Sequence, residues 1–181
     1  MTPFPKHNLD TSNKEAAELL ASVHTKYGFI PDLFTYMAEA PTVLSAYLEL
    51  ANIIAKSSLS APQAQIIQLA VSIENKCDFC QTAHIAIGKM NNANSQTIDA
   101  LINNKVIKDD QDRALVDLAL NIVRKRGWLD DADLLAFYDA GFGHQQVLEV
   151  ILCITIKTLS NYTNHLTKPV ANPELLQAAA A

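Results

Sequence analysis

One periodicity constrains the fold more than any other feature of this chain. Apolar residues recur at spacings of three and four, and each run closes on a helix-capping or helix-breaking residue. An α-helix turns about 100° per residue, so this spacing lines the apolar side chains along one face. Leu19, Leu20, Val23 and Tyr27 form the first run, which Gly28 stops. Ser12 and Glu15 precede it at the spacing of a capping box, in which each side chain takes a free backbone N–H. Pro31 opens a short run with Leu33, Phe34 and Met37, and Pro41 opens one with Val43, Leu44, Tyr47, Leu48, Ile53 and Ile54. Ser60-Ala61-Pro62-Gln63 repeats the capping-box pattern ahead of Ile66, Ile67, Leu69, Ala70 and Ile73. Ser95 is placed to cap a short helix with Ile98, Leu101 and Ile102. Asp109, Asp110 and Asp112 stand where a helix dipole favours acids, before Leu115, Leu118, Ile122 and Val123, and Gly127 ends that helix. Asp130–Asp133 starts another helix with Leu134, Leu135 and Phe137.

The last long run, from about His144 to His165, has a middle, VLEVILCITIKTL, rich in β-branched residues. Its length decides for helix over strand. Being apolar on most sides, it is expected in the core or at a subunit interface. No strand pair, Asn-Gly hairpin or βαβ alternation occurs. The pattern predicts an all-α bundle of roughly seven to nine helices with short loops. Residues 1–24 read as an arm and first helix, 25–168 as one helical domain, and 169–181, ending in alanines, as a frayed tail.

Composition removes several function classes. The net charge is −5 and the only basic run is Arg124-Lys125-Arg126, at a helix end where the dipole favours cations. No basic stripe interleaved with aromatics appears, so a nucleic-acid partner is not expected. The start, MTPFPKHNLD, lacks the apolar core of a secretory signal, and no run of about 18 apolar residues could span a membrane. Two of three cysteines form one C-x-x-C, which is not a secreted disulfide framework. A reducing, cytoplasmic setting suits them, with a disulfide that forms and breaks during function.

Those cysteines, Cys77 and Cys80, lie in Ser72–Met90, SIENKCDFCQTAHIAIGKM, with His84 after them and Glu74 before. On a helix, positions 77, 80 and 84 share a face, with Glu74 near it one turn back. A thiol reacts as its thiolate, and its pKa of about 8.5 falls at helix N-termini and beside cations. An imidazole can take the thiol proton or give one to a leaving oxygen, and Glu74 can orient it. Peroxide is a natural substrate: the thiolate attacks the O–O bond, becomes a sulfenic acid, and condenses with the second thiol to a disulfide. Cys80, nearer His84, is the expected attacker and Cys77 the resolving thiol. A dithiol must then reopen the disulfide by exchange.

Other readings remain open. A zinc site needs about four ligands, and only Cys153, in an apolar helix, is left to help. Haem attachment needs histidine directly after the second cysteine, where Gln81 stands. No metal or cofactor is therefore expected. Both cysteines could instead be inert core residues. Cys153 is read as core, and His165, near the end of the last helix, as a minor site candidate.

Cys77-Asp78-Phe79-Cys80-Gln81-Thr82-Ala83-His84 resembles the C-x-x-C-x-x-x-H signature of the carboxymuconolactone decarboxylase family, in its alkylhydroperoxidase AhpD-like branch. Tyr27-Gly28-Phe29-Ile30-Pro31-Asp32-Leu33-Phe34, Ala40-Pro41 and Leu44 resemble the N-terminal part of its peroxidase-related members. Ala140-Gly141-Phe142 through Glu149-Val150, and Ser160-Asn161-Tyr162 with Asn164-His165-Leu166, resemble their C-terminal part. The resemblance implies an AhpD-like helical fold assembled as homotrimers or homohexamers. It also implies thiol-dependent hydroperoxide reduction in antioxidant defence, with Cys80 peroxidatic, Cys77 resolving, and a histidine–glutamate proton relay through His84. A dithiol reductant, lipoyl or thioredoxin-like, follows from the same resemblance. Better-studied members place the relay glutamate twelve residues before the first cysteine, where this chain has Gln65. Glu74 matches an S-x-E-N-x-C variant and takes the role as an expectation. The decarboxylase that names the family uses no redox dithiol. A non-catalytic redox sensor or disulfide-switch oligomer is the reading from another class.

Overall fold

The computed structural model describes residues 3–11 and 13–181. Ten α-helices and no strand occur among them: α1 (Lys14–Tyr27), α2 (Asp32–Met37), α3 (Pro41–Ile54), α4 (Ala61–Glu74), α5 (Asp78–Met90), α6 (Ser95–Ile102), α7 (Asp110–Lys125), α8 (Asp131–Asp139), α9 (His144–Thr167) and α10 (Pro173–Ala180). The all-α expectation holds, with one helix more than the pattern suggested.

Most boundaries follow from local chemistry. The α4 capping box is formed: the Gln63 N–H donates to Ser60 Oγ at 3.4 Å, and the Ser60 N–H to Gln63 Oε1 at 2.9 Å. Gly28 closes α1 at φ 78°, its N–H donating to the His24 carbonyl. One expected cap differs and another falls on a residue that is not described. The Ser12 cap lies outside the described residues, and Asn13 caps α1 by accepting from the Ala16 N–H at 3.1 Å. Asn94 rather than Ser95 caps α6, accepting from the Gln96 N–H at 3.0 Å. Asparagine caps as well as serine, so a neighbouring pair of candidates leaves the choice to the chain's path.

The tail expected to fray is instead helical. Pro173 opens α10, which packs on α5 and buries Leu175. Asn172 ties its start to the α1–α2 turn, accepting from the Asp32 N–H at 2.9 Å and donating to the Ile30 carbonyl at 3.1 Å. Lys89 Nζ donates to the Ala179 carbonyl near its end.

Three apolar clusters fill the interior. The largest joins α3, α4, α7, α8 and α9 around Ile67, Leu115, Phe137 and Cys153. The second joins α1, α2, α3, α5 and α10 around Leu20, Phe34, Leu44, Cys77 and Cys80. The third lies between α4, α6 and α7. The central helix α4 packs against α5, α7 and α9, which fixes the redox segment against the last long helix. That helix is not buried on most sides. It buries one face, Val150 to Asn164, and leaves Leu148, Tyr162 and Leu166 exposed on the other. No helix among the described residues is long and apolar enough to cross a membrane.

Candidate functional site

The turn between α4 and α5 places the dithiol. Asn75 ends α4, Lys76 adopts φ 54°, and the Cys77 N–H donates back to the Ser72 carbonyl at 2.9 Å. This six-residue closure is a Schellman-type stop that reverses the chain within two residues. Cys77 then becomes the N-cap of α5, with extended backbone, and its carbonyl accepts from the Gln81 N–H. Cys80 follows one turn on and His84 one turn further, so all three look toward α9.

All three are buried, and both cysteines are free thiols. Asn164 Nδ2 lies 3.1 Å from Cys80 Sγ and 3.4 Å from Cys77 Sγ, donating toward both. Cys80 Sγ lies 3.8 Å from Ser160 Oγ. The Cys77 thiol hydrogen-bonds to the Cys80 sulfur and lowers the Cys80 pKa well below the ordinary thiol value. The Lys157 charge and the Ser160 and Asn161 side chains act in the same direction, against the opposing effect of burial. The same Cys77–Cys80 bond, with burial, pushes Cys77 up. The two thiols are thus pushed in opposite directions, Cys80 toward thiolate and Cys77 toward thiol. Burial first, then the Cys80 charge, push the Tyr47 phenol up, so it stays protonated beside them.

His84 Nδ1 lies 2.8 Å from Gln65 Oε1, and its Nε2 lies 2.5 Å from Lys157 Nζ. An amide oxygen only accepts and an ammonium only donates. The pairing therefore sets His84 as neutral imidazole with its proton on Nδ1. Burial, and then the Lys157 charge, hold its pKa well below the usual histidine value, which agrees with that form.

Glu74 is not brought to His84. Both of its oxygens are taken by Arg124 of α7, Nε to Oε1 at 2.8 Å and Nη2 to Oε2 at 2.6 Å. The Arg124 hydrogen bond holds its carboxyl below the usual range. The helical spacing that put Glu74 beside the motif fails because Glu74 belongs to α4. The left-handed turn at Lys76 separates its face from that of α5. Gln65, on α4, touches His84 instead. His165 also lies apart, exposed on α9 with its ring stacked on Tyr162 at 6.2 Å.

Four site residues escaped the reading of the sequence: Lys157, Ser160, Asn161 and Asn164. They sit at positions i, i+3, i+4 and i+7 of α9, and all are buried. A polar stripe at helical spacing inside an apolar helix was the available signal. Asn161 is held by Asn75 Nδ2, which donates to its Oδ1 at 2.9 Å. The buried Asn161 Nδ2 and Asn164 Oδ1 have no hydrogen-bond partner. No cluster of three or more His, Cys, Asp or Glu among the described residues is placed to hold a metal ion. The open surface clefts, at the α6–α7 turn and between α7 and α8, contain no cysteine and lie away from this chemistry.

Residues 41–120 match the model of the Carboxymuconolactone decarboxylase family, a span that includes Gln65, both motif cysteines and His84. Among solved structures, the chain is similar to an AhpD-core, peroxidase-related protein from Ralstonia eutropha JMP134. That match has TM-score 0.87 and 22% identity, and covers 100% of this chain and 99% of the other. A peroxidase-related protein from Silicibacter sp. TM1040 matches with TM-score 0.81 and 21% identity, covering 97% of each chain. The debrominase Bmp8 matches with TM-score 0.80 and 14% identity, over 99% of this chain and 97% of the other. No curated protein sequence matches the chain. At these identities the structures establish a shared AhpD-like fold.

Proposed function

With residues 41–120 placing the chain in the carboxymuconolactone decarboxylase family and its fold AhpD-like throughout, we propose that it is a thiol-dependent hydroperoxide reductase of antioxidant defence. One observation carries this reading: two free, buried thiols one helical turn apart share a single donor, Asn164 Nδ2, 3.1 Å from Cys80 Sγ and 3.4 Å from Cys77 Sγ. The Cys80 thiolate attacks the terminal peroxide oxygen, forming an S–O bond as the O–O bond breaks, and an alcohol leaves once protonated. Cys77 then attacks the sulfenic sulfur. A disulfide forms, and the departing hydroxide takes the Cys77 proton to leave as water. An external dithiol of lipoyl or thioredoxin-like chemistry returns the pair to thiols by exchange. Proton handling belongs to the buried groups around His84, and Glu74 is left out of it.

Counting free thiols before and after one equivalent of tert-butyl or cumene hydroperoxide tests this. Wild type is expected to lose two thiols and Cys80→Ser none rapidly, with added dithiol giving multiple turnover. Oxidation without turnover would make the protein a redox sensor. Unchanged wild-type thiols would defeat the peroxidase reading, and 2,3,4-tribromopyrrole, the molecule bound in a Bmp8 structure, would be tried next. Assembly as a homotrimer or homohexamer would cover the exposed Leu148 and Leu166 of α9, and light scattering reads it directly.

A further inference from the structure

Lys157 is a fully buried lysine, 1% exposed, in a helix otherwise apolar on that face until Ser160. Lysine is almost never buried without a partner. Its one hydrogen-bond partner among the described residues is His84 Nε2, a neutral acceptor that leaves its charge uncompensated. Ser160, one turn along α9, touches Cys80 Sγ, so the ammonium and the sulfur lie on the same buried patch. An ammonium there needs an anion, and the thiolate of Cys80 is the group that can supply one. Among the described residues, the other titratable groups facing this pair are Cys77 on α5, Tyr47 on α3 and Cys153 on α9.

We propose that Lys157 is the proton donor of this site. Its ammonium pairs with the Cys80 thiolate, is aimed by the Nε2 of neutral His84, and protonates the alkoxide released from the peroxide. The proposal rests on the hydroperoxide reading above. The motif histidine becomes a positioning residue, and Gln65 gains a purpose. A neutral amide accepting from His84 Nδ1–H keeps the imidazole neutral, whereas a carboxylate there would favour an imidazolium facing the lysine.

The proton balance closes over the cycle. The resting site holds Cys80 as thiolate, Lys157 as ammonium and Cys77 as thiol. Attack on ROOH gives the sulfenic acid and RO⁻, which takes the Lys157 proton and leaves as ROH. Disulfide formation releases water with the Cys77 proton. Reduction by a dithiol adds two protons and two electrons to the cysteines, and Cys80 passes its proton to the neutral amine.

The test compares Lys157→Met and Lys157→Arg with wild type in two assays. In the first, iodoacetamide alkylation of Cys80 at about pH 6 is expected to slow about 10-fold or more in Lys157→Met, the worth of a close charge pair, and far less in Lys157→Arg. In the second, at a pH where Cys80 is ionised in both proteins, tert-butyl hydroperoxide is set against peracetic acid. Its leaving alkoxide needs a proton and the acetate of the peracid does not. Oxidation by the alkyl peroxide should fall at least about 10-fold in Lys157→Met while the peracid rate stays near wild type. A purely structural lysine would slow both oxidants alike or neither, and either result overturns the proposal. If Lys157→Met does not fold, wild-type nitrogen NMR still decides: a proton on His84 Nε2 rather than Nδ1 at neutral pH overturns it. If wild type reduces no peroxide, the hydroperoxide reading fails, while the alkylation profile still reports on the Cys80–Lys157 pair.

Discussion

Cys80 and Cys153 are both buried, both helical, and both feel the charge of Lys157, yet they end in opposite states. Cys153 stands one turn before Lys157 on α9, in the largest apolar cluster, and no side-chain donor among the described residues is aimed at it. Burial, with the nearby Glu149 charge, pushes its thiol up to about 12 despite the lysine. Cys80 is desolvated too but receives hydrogen bonds from the Cys77 thiol and Asn164. A nearby cation alone does not make a buried thiolate; donors placed on the sulfur decide it.

The sharpest way to break that contrast is to swap the roles of the two sulfurs. Cys80→Ser should abolish peroxide-driven thiol loss, and Cys153→Ser should leave it at the wild-type rate. Mass spectrometry after brief alkylation of the native protein at neutral pH should find the label on Cys80 and none on Cys153. Labelling of Cys153 first would show that burial and the lysine set reactivity after all. Asn164→Leu removes the donor shared by both sulfurs while keeping the volume similar. A hydrogen bond to a charged group is worth about 1.5–3 kcal/mol, so alkylation of Cys80 at about pH 6 should slow roughly 10-fold. An unchanged profile would assign the whole difference between the two cysteines to Cys77 and Lys157.

His84 extends the comparison to stability. Its folded pKa lies below its unfolded value near 6.5, so the unfolded chain takes up a proton first as pH falls. The stability linked to neutral His84 is complete above about pH 6.5 and declines as pH drops toward the folded value, by up to about 1.4 kcal/mol per pH unit. Urea unfolding of wild type and His84→Asn between about pH 7 and 5.5 reads this, and the wild type should show the steeper decline. Equal slopes would mean that His84 is not held neutral by its burial.

The half of the site on α5 was legible because one turn of helix sets the spacing of Cys77, Cys80 and His84, and helical geometry carries that spacing unchanged into space. The half on α9 was not. Lys157 and Asn164 lie more than seventy residues away, and a polar stripe on an apolar helix does not say what it faces until its contacts are known. The same limit governed the fold. Helices with strong caps, such as α4, were readable, whereas α10 depends on Leu175 meeting the cluster around Cys77 and on Asn172 meeting the α1–α2 turn. Glu74 failed differently: the spacing was right for one continuous helix, but Lys76 breaks it.

The smallest expected effect therefore falls on the carboxylate that sequence spacing favoured. Glu74→Gln removes a bidentate pair with Arg124, but its partner's side chain is 55% exposed and both groups lie near solvent. Exposed pairs of this kind contribute about 0–1 kcal/mol and are screened by salt, so the loss of stability should sit at the low end and shrink in high salt. The pair also bridges the end of α4 to the end of α7, so any effect should show as local opening near residues 72–76 in hydrogen exchange rather than as altered chemistry. Cys80 alkylation and peroxide turnover should match wild type across pH. A displaced pH profile in Glu74→Gln would mean that the charge reaches the sulfurs through the α4–α5 turn, and the division between a buried reactive cluster and an exposed structural pair would have to be redrawn.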